Sequence, residues 1–320
     1  MTAWHPDLLG PDWEHTTLAL GRDVDGPLVA TLVRQTGAPT RGPAALHVHG
    51  YNDYFFHTHV ADALARAGWT LYGLDLRRSG RSRRPGQLPH WTTDLSEYHT
   101  ELDMAADVLA RQGHDRLAVI GHSTGGLVGA CWAHERRSTT AVDAVVLNSP
   151  WLDLNGPWHR RLTTAAALAV IGRVRPRRVV ERRPSSYSAR LHVDAGGRWA
   201  FDQAFKPPTG VPVRAGWLLA VRRAQARVAR GLDIRVPVLV CTSGSSGPGN
   251  ADNPRLDRQE TVLDVRHMWR LAPRLGRHVT VSRIDGGVHD LSLSGDAPRE
   301  EYLRTVTGFL DRVARATRPG

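Results

Sequence analysis

Lysine is nearly absent from this chain: Lys206 is the only one in 320 residues, so arginine carries the net charge of +11. A basic balance of that size can favour nucleic acid or anionic membrane surfaces. No basic run carries the interleaved aromatic residues of a single-strand binding platform. Nucleic acid is therefore not an expected partner, and the arginine excess reads as a composition bias. Cysteine is almost as scarce. Cys131 and Cys241 both sit in apolar surroundings, Val128-Gly129-Ala130-Cys131-Trp132 and Val238-Leu239-Val240-Cys241. That excludes a disulfide framework and points to two buried free thiols. The stretch from Met1 to Asp7 has neither a charged nor an apolar leader region. The longest apolar run, around Ala165 to Ile171, is far too short to span a bilayer. A cytoplasmic, soluble protein is the expectation. The hydrophobic share of 41% and the charged share of 23% suit a globular chain with a substantial core.

What is present is an alternation. Short apolar runs at Thr17–Leu20, Leu28–Val33, Ala45–His49, Thr70–Asp75, Leu117–Gly121 and Ala144–Asn148 read as strands. Amphipathic stretches at Asp53–Ala67, Leu95–Arg111 and Ser123–His134 read as helices. Two leading strands followed by a βαβ alternation predict an α/β, mostly parallel, doubly wound sheet. From Trp151 to about Gly231 the strand signals vanish, and the segment turns helical, arginine-rich and punctuated by prolines. Pro237–Cys241 then restarts a buried strand. A Gly/Ser/Asn/Pro-rich loop (Thr242–Pro254), a helix near Val265–Leu275, a strand at Val279–Ile284 and a last helix at Pro298–Ala316 follow. One core formed by residues 1–150 and 232–320, interrupted by a helical insertion at 151–231, is the simplest organisation.

Gly121-His122-Ser123-Thr124-Gly125 fits G-x-S-x-G, directly after a buried strand and before an apolar helix. That is the context of a nucleophile elbow, in which a sharp turn lifts the serine hydroxyl clear of the backbone. The crowded turn needs small residues two before and two after the serine, and Gly121 and Gly125 supply them. The helix that follows aims its N–H groups at the same point. His49-Gly50-Tyr51, at the end of an earlier strand, can present a second backbone N–H. The N–H groups of Tyr51 and Thr124 are thus the expected oxyanion hole. His47, His49, His57 and His59, with Asp53 among them, also invite a metal reading, but their spacing fits no zinc pattern. No metal and no cofactor are expected. The general base must follow the nucleophile in chain order and hang over the strand ends. His289, after Val279–Ile284 and a glycine turn, meets both conditions.

These pieces resemble the α/β-hydrolase superfamily, and within it the monoacylglycerol lipase and serine aminopeptidase group of lysophospholipase-like enzymes. The matching stretches are His49-Gly50-Tyr51, Asp75-Leu76-Arg77-Arg78-Ser79-Gly80-Arg81-Ser82, Gly121–Gly126 and Gly286-Gly287-Val288-His289. The resemblance spans about Leu28 to Leu310. It implies the α/β-hydrolase fold, a structural rather than catalytic role for the Asp75 turn, and a helical cap formed by 151–231. It also implies an ester-cleaving serine hydrolase, acting on a small-molecule ester or acyl substrate through an acyl-enzyme. A tailoring enzyme (thioesterase, acyltransferase or cyclase) and a non-catalytic ligand-binding protein remain alternatives on the same fold.

One departure concerns the acid. The family's usual place after the seventh strand here reads Cys241-Thr242-Ser243-Gly244-Ser245-Ser246-Gly247, without a carboxylate. Asp252, Asp257, Glu260 and Asp264 are the candidates farther along. Glu260-Thr261-Val262-Leu263-Asp264 resembles the family spacing in which the catalytic acid precedes a second acid at a helix start. That match implies Glu260, with Asp264 the alternative acid or a helix N-cap. Tyr54, Phe55, Trp158 and Trp217 are expected to line the substrate pocket. Arg173, Arg175, Arg177, Arg178, Arg182 and Arg183 crowd one stretch of the insertion. They form either a solvated face or a weak contact for anionic substrates or membrane surfaces.

Overall fold

The computed structural model describes residues 3–139, 142–154, 168–181, 186–250 and 252–316. Trp158, Arg182 and Arg183 lie outside the described residues. Among the described residues, eleven strands run in chain order as β1 (His5–Asp7), β2 (Gly10–Asp23), β3 (Gly26–Gln35), β4 (Gly42–Val48), β5 (Thr70–Asp75), β6 (His114–His122), β7 (Ala144–Asn148), β8 (Val179–Glu181), β9 (Val213–Arg214), β10 (Val238–Ser243) and β11 (Val279–Ile284). Nine of them form one sheet in the order β1-β2-β3-β5-β4-β6-β7-β10-β11. The first three pair antiparallel at one edge, and the strands from β5 to β11 run parallel. Strands β5, β7 and β10 are buried along their whole length, as parallel strands covered on both faces must be.

The alternation of side chains along each strand divides the core in two. Leu46, Val119, Val145 and Val240 face one layer with Leu127, Trp132 and Trp217. Ala45, Ala118, Ile120, Val146 and Cys241 face the other with Trp69, Tyr302 and Leu310. Each large apolar side chain fully buried this way contributes about 1.5–3 kcal/mol. Cys131 belongs to the first layer and Cys241 to the second, so the sheet separates two free, buried thiols.

The helices are α1 (Thr58–Arg66), α2 (Tyr98–Gln112), α3 (Thr124–Glu135), α4 (Ser186–Leu191), α5 (Ala215–Arg230), α6 (Val265–Leu271) and α7 (Asp296–Arg315), with further helical residues at 168–174. Among the described residues, none is long and apolar enough to cross a membrane. The helix expected from Asp53 starts only at Thr58. The Phe55 N–H donates to the Asp75 carboxylate at 2.7 Å, which holds 53–57 out of helical geometry. Arg81 completes that clamp, bonding Asp75, Asp7 and the Phe55 carbonyl. Within 151–231, β8 pairs with β9, strands of three and two residues, too short to leave a period in the sequence. Helix α5, at the end of the same segment, buries Trp217, Ala220, Val221 and Val228 against the first core layer.

The chain leaves β4 for β5 on one side, then crosses to β6 on the other. This is a topological switch point, and in open α/β sheets ligands bind in the crevice beyond the strand ends there. The ends of β4, β6, β7, β10 and β11 carry the residues described next.

Candidate active site

Ser123 links β6 to α3 with φ 54° and ψ −116°, in the left-handed half of backbone space that a side chain rarely adopts. Four backbone hydrogen bonds hold it there. Its N–H donates to Asn148, and its carbonyl accepts from Gly126, Leu127 and Trp151 at 3.0–3.2 Å. Strain of this kind persists only where the surroundings over-determine it. The flanking glycines are required by contact. A Cβ on Gly121 would lie 2.6 Å from the Gly125 carbonyl oxygen, and one on Gly125 would press into the carbonyls of Val48 and His49.

His289 hangs from the loop after β11, with Nε2 3.0 Å from the Ser123 hydroxyl. Its Nδ1 donates to Glu260 Oε2 at 2.7 Å. The other Glu260 oxygen accepts the N–H groups of Val262 and Leu263 at 2.8 and 2.9 Å. The Glu260 backbone is pinned in turn to Ser245 and Gly247. Of the two acids left open by the sequence, Glu260 joins the row. Asp264 caps α6, accepting the Arg266 N–H at 2.9 Å and pairing with its guanidinium.

The first N–H groups of α3 have no intrahelical acceptor, and that of Thr124 leads them. A cavity of about 10 Å³ lies between this helix start and the Gly50-Tyr51 turn, walled by Trp217; it has room for about one water. Tyr51 and Trp217 stack with ring centroids 3.9 Å apart. Tyr54 is fully buried beside Tyr187 and Val288, its hydroxyl accepting the Asp202 N–H at 2.7 Å. Phe55 is a correction to the expected pocket lining. Its ring packs in the second core layer with Trp13 and directly over Gly73, because the Asp75 clamp turns this residue inward.

Of the histidines grouped in the sequence, His47 and His57 pack ring against ring with centroids 4.7 Å apart, but the group's hydrogen bonds run to separate partners. His49 Nε2 accepts the Leu76 N–H at 3.1 Å, and His59 bonds the Ser292 carbonyl at 2.8 Å. His57 donates to Asp290 Oδ2 at 2.9 Å. Asp290 also takes hydrogen bonds from Asn148 and Ser292. Burial alone would raise its carboxyl, yet the His122 and His57 rings and these hydrogen bonds hold it well below the usual carboxylate range. Asp53, His122 and Asp290 bring ligand-type atoms within 4.8 Å of one another. The cation at this group is the protein's own, since Lys206 Nζ lies 2.6 Å from Asp53 Oδ1. Burial pushes the Asp53 carboxyl up, but Lys206 and then His57 outweigh it and bring it down to about 2. The His122 ring meets that of His289 edge-on at 4.8 Å, and burial lowers it to about 4.

Sequence reasoning missed Asp290, Asn148, Lys206 and Tyr187. Asp290 had a signal, an acid directly after His289. The other three reach the site only through long-range packing.

Residues 43–293 match the model of the family described as serine aminopeptidase, S33. The monoacylglycerol lipase of Paleococcus ferrophilus is similar at 20% identity and TM-score 0.65, covering 84% of this chain and 94% of that one. A soluble variant of monoglyceride lipase from Saccharomyces cerevisiae, in complex with a substrate analogue, follows at 15% and 0.64, covering 97% and 99%. An esterase of Pyrobaculum calidifontis gives 18% and 0.55, covering 94% and 86%. The fold is that of the α/β hydrolases, and this chain belongs to the serine aminopeptidase S33 family.

Proposed function

We propose that this protein is a serine hydrolase that cleaves a small-molecule carboxylic ester through an acyl-enzyme. The observation that carries the proposal is the row Ser123–His289–Glu260, joined at 3.0 and 2.7 Å on a strained turn. His289 takes the proton of Ser123, and the alkoxide attacks the ester carbonyl. The Tyr51 and Thr124 amides receive the developing oxyanion. His289 then gives its proton to the departing alcohol, and water releases the acyl group by the same steps. Glu260 holds the imidazole in the tautomer with Nε2 free and stabilises the imidazolium. Esters are favoured because two of the similar structures are monoacylglycerol lipases and a third is an esterase.

Trp217, from the segment 151–231 that we read as a cap, closes the site against the Tyr51 ring of the β4 turn. Two buried free thiols suit a reducing, cytoplasmic compartment. Arg173, Arg175 and Arg178 remain candidates for weak contact with an anionic membrane surface, whereas Arg177 is held by Asp25 at 2.8 Å.

Ester hydrolysis by single and double variants tests the mechanism. Ser123→Ala and His289→Ala should each lower kcat by about 10⁵–10⁶, and the double variant by little more, because the pair acts as a unit. Additive losses would contradict it.

A further inference from the structure

A cavity of about 610 Å³ opens beside the β11 edge of the sheet, between α4 and the loops that carry Glu260 and His289. That volume is in the range of small-molecule sites. Its wall is part apolar, from Leu256 and Val288, and part cationic, from Arg190, Arg198 and Arg258, against a single lining acid, Asp257. Two of the guanidiniums have carboxylates at hand. Arg198 bonds Asp296 at 2.8 Å, and Arg258 lies 3.8 Å from Asp257. Arg190 forms no ion pair among the described residues, so its charge is unspent.

One ring separates this cavity from the proposed base. Tyr187 lines the cavity, meets the His289 imidazole edge-on with centroids 5.8 Å apart, and accepts the Asp290 N–H at 2.9 Å. Ser123 and His289 are both largely buried, at 8% and 5% exposure, so an alcohol portion held in this cavity reaches them only when Tyr187 turns aside. The side on which the cavity lies is chemically meaningful. The imidazole that takes the serine proton must return it to the departing oxygen, so the alcohol portion of an ester has to sit against His289. The 610 Å³ cavity borders that side through Tyr187 and Val288, and the water-sized cavity borders the Thr124 side.

We propose that the large cavity receives the alcohol portion of the substrate, that this alcohol carries an anionic group, carboxylate or phosphate, on an apolar body, and that Arg190 holds the anion. The proposal rests on the hydrolase function above and deepens it. Tyr187 is then the wall that turns to join cavity and nucleophile.

The test uses butyryl esters of three matched phenols, bearing para carboxymethyl, phosphonomethyl or neutral carboxamidomethyl groups. Wild-type protein should favour at least one anionic ester over the neutral one by about tenfold or more in kcat/KM, a preference that shrinks as salt screens it. The better of the two anions identifies the charge recognised. Arg190→Gln should reduce the anionic-to-neutral ratio by about tenfold or more, the scale of one lost charge-assisted hydrogen bond. A wild-type ratio near one, or a ratio unmoved in Arg190→Gln, overturns the proposal. If no ester turns over, the hydrolase function fails by itself, and calorimetry on the Ser123→Ala protein still decides the cavity. There the free carboxymethyl and phosphonomethyl phenols serve as probes. Binding of either one, weakened about tenfold by adding Arg190→Gln, supports the anion site; absence of binding, or binding indifferent to Arg190, refutes it.

Discussion

Glu260 and Asp264 show how much a few atoms decide at the scale of one residue. Both acids precede α6; the family-like spacing favours Glu260, but which carboxylate faces His289 depends on how a loop folds. In the structure Glu260 is bridged to Ser246 and buried, whereas Asp264 caps a helix. Glu260→Gln should therefore lower kcat by about 10³–10⁴ with the melting temperature near wild type. Asp264→Asn should leave kcat within a few-fold, because asparagine caps a helix about as well as aspartate, whereas Asp264→Ala should cost about 1 kcal/mol of stability; steady-state kinetics and denaturant unfolding read the two effects. Inactivity of Asp264→Asn with an active Glu260→Gln would reverse the assignment. Ser123 was legible because its motif is local, confined to one strand-to-helix turn, and His289 because chain order and a glycine turn restrict the choice. Tyr187 and Lys206 were not legible, since nothing in their neighbouring residues marks a side chain that is recruited from more than 100 positions away.

At the scale of elements, strands β5 and β7 are predicted to the residue by their apolar runs, and β11 by its alternation of apolar and polar residues. Strand β2 is far longer than its predicted core because the solvent-facing half of an alternating strand near the sheet edge carries polar residues. Helix α1 is overcalled by five residues at its N-terminal end, since the Asp75 clamp is a long-range hydrogen bond that overrides local propensity. The contact between the β4 turn and residues 202–212 is equally invisible to periodicity. Tyr51, Asn52, Asp53 and Tyr54 each bond this stretch, through Pro212, Pro207, Lys206 and Asp202. The Lys206–Asp53 pair is the buried member, and removing one partner strands a charge in the interior. Lys206→Met should cost about 3–5 kcal/mol in unfolding free energy, and Lys206→Met with Asp53→Asn distinctly less. Equal costs would mean that the pair only fills space.

At the scale of the whole molecule, buried neutral histidines set the response to acid. Burial lowers His90 to about 3, His59 to about 4 and His122 to about 4. An unfolded histidine titrates near 6.5, so between about pH 6.5 and 4 the unfolded chain binds more protons than the native one. Stability is then fully present above about pH 6.5 and is lost as pH falls, by up to about 1.4 kcal/mol per pH unit for each such site. Thermal unfolding should show a melting temperature that drops steadily from pH 7 to pH 4.5; a flat profile would mean that these rings are already charged in the fold. The net charge of +11 adds repulsion in the same direction as carboxylates protonate. The central claim, that this fold exists to present one activated serine, is tested most directly by treating the protein with a fluorophosphonate probe and mapping the adduct across the chain by peptide mass spectrometry. The account predicts a single adduct on Ser123, absent from Ser123→Ala; an unlabelled wild type, or labelling that persists in Ser123→Ala, would contradict it.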